Sequence, residues 1–433
     1  MTPRDAARAI WQAALAAGDV RPLVQRALQH IDLPRAGRVL VVGCGKAGAA
    51  MAAALEDVVG ERIDDGLVVV KDGYVVPTRR VRIVEAGHPV PDARGEAASR
   101  AILDCVRGAG REDVVFVLIS GGGSALTPSP APPITLEEKR AVTRLLLAAG
   151  ANITELNAVR KHLSLFKGGQ LARAAAPAHV ITLVLSDVIG DPLDVIASGP
   201  TAPDSATFAD AIGVLQRRQV WASVPAPVRT RLEAGLRGEI EETPKPGDPI
   251  FARVRHDVIG NSALVTDAAV ARAAELGYRP SLLTRALEGE ARDVARDLVA
   301  RGRALSAPSC LIAGGETTVT VRGRGRGGRC QELALAAALA LDGVSDVTVL
   351  AAGTDGTDGP TDAAGGLVDG ATVARARAAG VDPRAALDDN DAHRALAASG
   401  DLVVSGPTNT NLLDLYLVLR GHCPSDERTD LSS

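Results

Sequence analysis

Short runs of valine, isoleucine and leucine recur along this chain, each closing on glycine, serine or aspartate and each followed by a longer alanine-rich stretch. A continuous apolar run reads as a strand buried on both faces. The stretch after it supplies the crossover helix that parallel pairing needs. The alternation predicts an α/β fold. Strands are expected at Arg38–Val42, Leu67–Val70, Val81–Val84, Val114–Ile119 and Val180–Leu185, with helices opening at Ala47, Asp92, Leu136 and Thr154. The rhythm breaks at Ile240–Pro249, IEETPKPGDP, where three prolines and mixed charge favour an extended linker. It resumes with strands near Val254–Ile259, Ser281–Thr284, Cys310–Ala313 and Val347–Ala352 and helices from Ser262 and Glu290. At 433 residues the chain is too long for one core, which serves roughly 250 to 300 residues. Two domains are therefore expected, 1–242 and 250–425.

Composition removes several partners. Only 4 Phe, 3 Tyr and 2 Trp are present, too few rings for base stacking, so no nucleic-acid partner is expected. Lys+Arg 48 against Asp+Glu 52 gives a net charge of −4, so any anion site must be local and no membrane surface is expected as a partner. The five cysteines, Cys44, Cys105, Cys310, Cys330 and Cys423, lack C-x-x-C spacing and fit a reducing cytoplasm. No apolar run approaches membrane-spanning length.

The strand ends carry the chemistry, because ligands of open α/β sheets gather there. In VLVVGCGKAGAAMAAAL, Gly43-x-Gly45-x-x-Gly48 lies between a strand and an alanine-rich helix. Glycines admit a phosphate to backbone amides, and the helix start adds a favourable dipole. A dinucleotide is one reading, with Asp72 meeting a ribose hydroxyl; a phosphoryl group or carboxylate facing Lys46 is another, and a structural turn a third. In SGGGS, the residues Ser120, Gly121, Gly122, Gly123 and Ser124 follow an apolar strand and fit either close ligand approach or a tight turn. This is not a nucleophile elbow, since Leu126 stands where glycine is required.

Four further segments follow. In ELNAVRKHLSLFKGGQLA, a helix would put Arg160, Ser164 and Lys167 near one face, able to hold two cations against an anion; His162 receives no catalytic role. Ser186, Asp187, Asp191 and Asp194 cluster behind the next strand, where carboxylates can hold Mg²⁺ or accept a hydroxyl proton, although turn and capping roles account for some of them. AGGETTVTVRGRGRGGR holds Glu316, a short hairpin-like strand and Arg322, Arg324, Arg326 and Arg329. Arg329, nearest the helix start, is best placed to meet an anion together with backbone amides. In GTDGTDGPTDAAGG, Asp355, Asp358 and Asp362 fit metal coordination, hydroxyl binding or turn chemistry, without EF-hand spacing. GPT recurs at Gly199–Thr201, Gly359–Thr361 and Gly406–Thr408 and fits a turn opening a helix with proline at its first position. Together the loops suit phosphoryl transfer, in which cations balance transferred charge and carboxylates hold metal or orient the hydroxyl. Walker A, HRD and DFG patterns are absent from the sequence.

GCGKAGAAM, AGHPVPD, SGGGSAL, ELNAVRKHLSLFKGGQLA, SDVIGDPLDVIASGPT, AGGETTVTVRGRGRGGR and GTDGTDGPTDAAGG occur in the order found in glycerate 2-kinases, the glycerate kinases with a C-terminal MOFRL domain. The chain resembles that family from about Val39 to Leu419. The resemblance implies ATP-dependent phosphorylation of D-glycerate to 2-phosphoglycerate with Mg²⁺. It also implies a Rossmann-like N-terminal domain, a smaller MOFRL domain and an active-site cleft between them. Lys46 and Arg329 occupy the family's proposed catalytic positions. Asp187 is taken as base or metal ligand, Asp191 as a second metal ligand. Gly43, Gly45, Gly48, residues 120–124, Arg160, Lys167, Glu316 and Asp355 are taken as substrate or nucleotide contacts. Cys330 stands where the family usually has asparagine, and DDNDAHRAL lacks the aromatic residue common near His393. A homodimer is compatible with this reading. Two rivals remain: an NAD(P)H-dependent hydroxypyruvate reductase, a name the family has often carried, and a nucleotide-binding regulator.

Overall fold

The computed structural model describes residues 1–29, 31 and 37–421; Cys423 and the expected domain end at 425 lie outside them. The chain divides into two compact units. A middle unit spans Val20–Ile259, and a terminal unit joins Met1–Asp19 to the chain from Gly260 onward. This division departs from 1–242 and 250–425 in two places. The first helix, Pro3–Ala17, buries Ile10, Trp11 and Ala14 along one stripe, and its Arg4 pairs with Asp369 and Asp401 at 2.7 Å each, all within the terminal unit. The proline-rich stretch is extended, as expected, but it is no free linker. Thr243 is buried, Pro244 accepts the Asp204 amide, and Glu242 accepts the Phe208 amide. These bonds fasten it to the middle unit.

Six strands build the middle sheet: β1 (Val39–Cys44), β2 (Ile63–Lys71), β3 (Arg82–Ala86), β4 (Val114–Ile119), β5 (His179–Leu185) and β6 (Val254–Gly260). Their order is β3-β2-β1-β4-β5-β6, with β3, β2, β1, β4 and β5 paired in parallel. β1 and β4 are buried along their whole length, as their unbroken apolar runs require. Strand order reverses between β1 and β4, and an open α/β sheet has its ligand crevice at such a switch point. Both glycine-rich loops leave the sheet there, one from β1 and one from β4.

The terminal sheet has the order β11-β10-β9-β12-β8-β7, from β7 (Arg279–Leu287), β8 (Ser309–Gly315), β9 (Val347–Gly353), β10 (Gly365–Asp369), β11 (Leu402–Val403) and β12 (Asp414–Arg420). Only β7 and β8 pair in parallel; the other pairings are antiparallel. β12 lies between β8 and β9 and places Asp414 opposite both Gly315 and Gly353. The hairpin-like strand expected after Glu316 reduces to one bridge between Glu290 and Thr318. None of the GPT segments opens a helix. Each begins with a left-handed glycine, Gly199 (φ 61°), Gly359 (φ 61°) and Gly406 (φ 68°), which serves a turn.

Candidate functional site

The glycines of the first loop are packing positions. A Cβ on Gly43 would lie 2.3 Å from the Leu118 carbonyl oxygen, and one on Gly48 would lie 2.7 Å from the Val68 side chain. Gly45 takes φ +130° and rests against Ser120. The loop's amides are also engaged: Gly45 donates to Val69 O, Lys46 to Gly121 O and Ala47 to Ser120 Oγ. Fully buried Ser120 thus ties the two loops together. Gly123 packs on Cys44 Sγ and Ala197 Cβ. The cradle expected of G-x-G-x-x-G is replaced by contact between neighbouring strands. Gly43→Ala should therefore lower stability by about 1 to 3 kcal/mol through overpacking. Chemical unfolding should register that loss, and nucleotide affinity per folded molecule should hold.

The second loop keeps more of its ligand character. The amides of Gly121 and Gly122 meet no acceptor among the described residues. A Cβ on Gly122 would lie 3.0 Å from the His88 ring and 3.7 Å from Lys46 Cγ, so both side chains flank this turn. Beyond it opens a cavity of about 300 Å³ lined by Ser124, Lys139, Arg140, Arg144, Arg160 and Lys167, against a wall that includes Val90, Pro91, Pro128 and Leu147. Five cations line it and, among the described residues, no carboxylate does; Arg140 and Arg144 pair with Glu137 outside that lining, at 3.2 and 2.6 Å.

These cations meet through a turn. The helix Ile153–His162 stops short of Ser164, whose Oγ accepts the amides of Phe166 and Lys167. The expected helical face of Arg160, Ser164 and Lys167 is therefore not formed, yet Arg160 and Lys167 line one cavity. Left-handed Gly168 and Gly169 complete the turn. Lys167 Nζ donates to Ser124 O at 2.7 Å, and buried Lys139 donates to the carbonyls of Pro128 and Leu163. The Arg160 guanidinium has neither a hydrogen bond nor an ion pair among the described residues, and burial lowers its pKa. Burial and the Arg160 charge lower the Lys167 pKa to about 7; burial and the charges of Lys167 and Arg160 lower that of Lys139 well below its ordinary value. Cations buried without counter-ions make an anion site.

The sign of the pH effect follows. Below pH 7 Lys167 is protonated and attracts an anion; above it the free cavity loses that charge, and binding an anion must draw a proton in. At pH 8, carboxylate binding should show net proton uptake, read from calorimetric heats in buffers of different ionisation enthalpy. Uptake that persists in Lys167→Met would assign the proton elsewhere. In the absence of ligand, the unfolded chain binds more protons between pH 7 and the ordinary lysine value near 10.5, so this group's contribution to stability rises with pH across that window.

In the terminal unit, Arg329 opens the helix Arg329–Ala340. Its Nε and Nη2 donate to Asp414 at 2.6 and 2.9 Å, and its Nη1 lies 2.8 Å from Glu316. Burial alone would lower its pKa; the two carboxylates outweigh that and raise it. The helix start is not open to an anion in the way expected, because Asp358 already accepts the amides of Cys330 and Gln331 at 3.2 and 2.8 Å. Burial raises the Asp358 pKa to about 6. Asp355 accepts the Thr357 amide in a turn, and Asp362 pairs with His393. Cys330 is fully buried, so its side chain does not face a ligand from the surface. Arg322, Arg324 and Arg326 are exposed.

Asp187 and Asp191 lie just beyond β5, and Asp191 takes φ 55°. Asp194 sits 3.4 Å from Lys161. Among the described residues no three His, Cys, Asp or Glu side chains converge as a metal cage. Mg²⁺ commonly takes only one or two carboxylates besides substrate phosphates, the donor type that Asp187 and Asp191 carry. Asp72, the residue a dinucleotide would need, is held in a bidentate pair by Arg94 at 2.7 and 2.9 Å. Sequence reading passed over Lys139, Asn157, Ser198 and Asp414. Lys139 looks like one more surface charge in LEEKRAVTR, and Asp414 shows its place only once β12 is set between β8 and β9.

The switch-point loops, the cationic cavity and the separate mixed sheet define a two-unit α/β protein. Residues 6–233 match a family described as a domain of unknown function, DUF4147, and residues 309–414 match the MOFRL family. A D-glycerate 2-kinase of Thermotoga maritima is 45% identical over 404 residues, 92% of this chain and 93% of that protein. A relative in Agrobacterium vitis, provisionally named a hydroxypyruvate reductase, is 44% identical over 97% of this chain and 95% of its own length. The crystal structure of a Thermotoga maritima glycerate kinase superposes with a TM-score of 0.85 at 42% identity, covering 96% of this chain and 99% of that one. The chain belongs to the glycerate 2-kinase family. Among the described residues no helix is long and apolar enough to cross a membrane.

Proposed function

We propose that this chain transfers the γ-phosphoryl group of ATP to the 2-hydroxyl of D-glycerate. The observation that carries the reading is the cavity at the switch point, lined by five cations and no carboxylate. Arg160 and Lys167 hold the carboxylate of glycerate, Lys46 meets the transferring phosphoryl group, and Ser124 with the Gly121 and Gly122 amides fixes the ligand's orientation. Arg329 is the catalytic arginine of this reading, held in one orientation by Asp414 while it exchanges Glu316 for phosphate oxygens. Mg²⁺, held by Asp187 and Asp191, would neutralise charge on the phosphates when bound. In an alternative role within this reading, Asp187 accepts the hydroxyl proton.

The occupied Asp72 and the packed first loop argue against a dinucleotide site, so hydride transfer has less support. Incubating the protein with MgATP and D-glycerate, with the product isomer read by phosphorus NMR, tests the reading. NADH oxidation by hydroxypyruvate is followed in parallel. Turnover only in the second assay would overturn it.

A further inference from the structure

Every charged group that lines the middle-unit cavity is a hydrogen-bond donor, able to meet a carboxylate or the oxygen of a hydroxyl but unable to accept the hydroxyl's proton. That proton needs an acceptor, and Ser124 is restricted to this role toward the cavity when its own proton is committed elsewhere. A buried chain commits it. Ser124 Oγ lies 2.8 Å from Ser198 Oγ, and Ser198 Oγ donates to Asn157 Oδ1 at 2.9 Å. Ser198 has one proton and gives it to Asn157, so toward Ser124 it can only accept. Ser124 must then donate to Ser198, and its lone pairs are left facing the cavity it lines.

The surrounding backbone maintains this arrangement at a cost. Ala197, Ser198 and Gly199 take φ 50°, 62° and 61° in succession. Left-handed conformations at non-glycine residues cluster where a particular geometry is required. Ser198 and Asn157 are both buried.

We propose that Asn157 and Ser198 are positioning residues that fix Ser124 as the hydrogen-bond acceptor for the substrate hydroxyl, so that the cavity selects hydroxy acids over plain carboxylates. The proposal rests on the glycerate kinase reading and adds a basis for its substrate class. Asn157 Nδ2 is buried with no hydrogen-bond partner among the described residues. The opposite amide orientation would reverse the chain and make Ser124 a donor, so the amide's orientation is what the test must decide. A carboxylate at 157 can only accept. Asn157→Asp should therefore preserve the proposed polarity, whereas Asn157→Leu should abolish it.

The test measures KM for D-glycerate and for MgATP in Ser124→Ala, Ser198→Ala, Asn157→Leu and Asn157→Asp. Calorimetric titration with D-glycerate and with propionate, which lacks the hydroxyls, accompanies it. The first three variants should raise the D-glycerate KM about tenfold, leave the MgATP KM within about twofold, and erase most of the preference for D-glycerate over propionate. Asn157→Asp should recover most of the affinity lost in Asn157→Leu. An unchanged D-glycerate KM in Ser198→Ala, equal weakening of both acids, or Asn157→Asp behaving as Asn157→Leu would each overturn the proposal. Wild-type protein that turns over no D-glycerate defeats the kinase reading instead. The chain is then judged by titration alone, and equal binding of the two acids by wild type would sink it as well.

Discussion

Replacing Lys46 or Arg329 by alanine should lower turnover of D-glycerate and MgATP by roughly 10²-fold or more, because each removes a positive contact from a transferring phosphoryl group. The two variants should differ in what accompanies that loss. Lys46 extends from a loop whose backbone is held by its own hydrogen bonds to β2 and the β4 loop, so its removal should leave the melting temperature close to wild type. Arg329 is the bidentate partner of Asp414, which is buried and also accepts from the Tyr416 hydroxyl. Arg329→Ala strands that carboxylate and should reduce stability as well. Asp414→Asn tests the same point from the other side: Arg329 remains but loses its anchor, and kcat should fall while KM for glycerate changes little. Normal turnover in purified, folded Lys46→Ala and Arg329→Ala would remove both residues from the mechanism.

A second large effect is expected in the scaffold beneath the cavity. Lys161 and Asp204 form a buried pair at 3.1 Å, with side-chain exposures of 4% and 1%. Asp204 also accepts from Thr243 Oγ1, and a Cβ on Gly168 would meet both partners within about 3.3 Å. The pair therefore supports the turn that carries Lys167. Lys161→Met leaves a buried carboxylate uncompensated and should cost about 3 to 5 kcal/mol, whereas a double change to Lys161→Met with Asp204→Leu should recover most of it. Urea unfolding followed by a probe in the middle unit measures both. A loss below about 1 kcal/mol in the single variant would show that Asp204 is already satisfied by its hydroxyl and amide donors.

Strand positions were legible because their cause is local. The apolar runs at Val114–Ile119 and Val347–Ala352 match β4 and β9 to within one residue. Asp92 was readable as a helix start because its side chain caps the Gly95 amide. What the glycines of GCGKAG do was not legible, since the atoms that exclude a Cβ from Gly43 belong to Leu118, seventy-five positions onward (118 − 43). The same distance hid Asp414, whose meaning depends on β12 entering between two strands that precede it. Periodicity also misplaced Ser164. A hydroxyl that accepts two amides ends the helix, and the turn that follows, not a helical face, brings Arg160 and Lys167 to one cavity.

The first helix belongs to the terminal unit although about 240 residues of the middle unit follow it. During synthesis it leaves the ribosome ahead of the middle unit, yet the helix Ser262–Glu275, β9 and β12, which it packs against, emerge only after that unit is complete. At ribosomal rates of about 5 to 20 residues per second, its apolar stripe of Ile10, Trp11 and Ala14 waits roughly 12 to 50 seconds for the first of these partners and roughly 20 to 80 seconds for β12. The middle unit can form meanwhile as an insertion within an unfinished host, so the last unit to close recruits a helix made before the first.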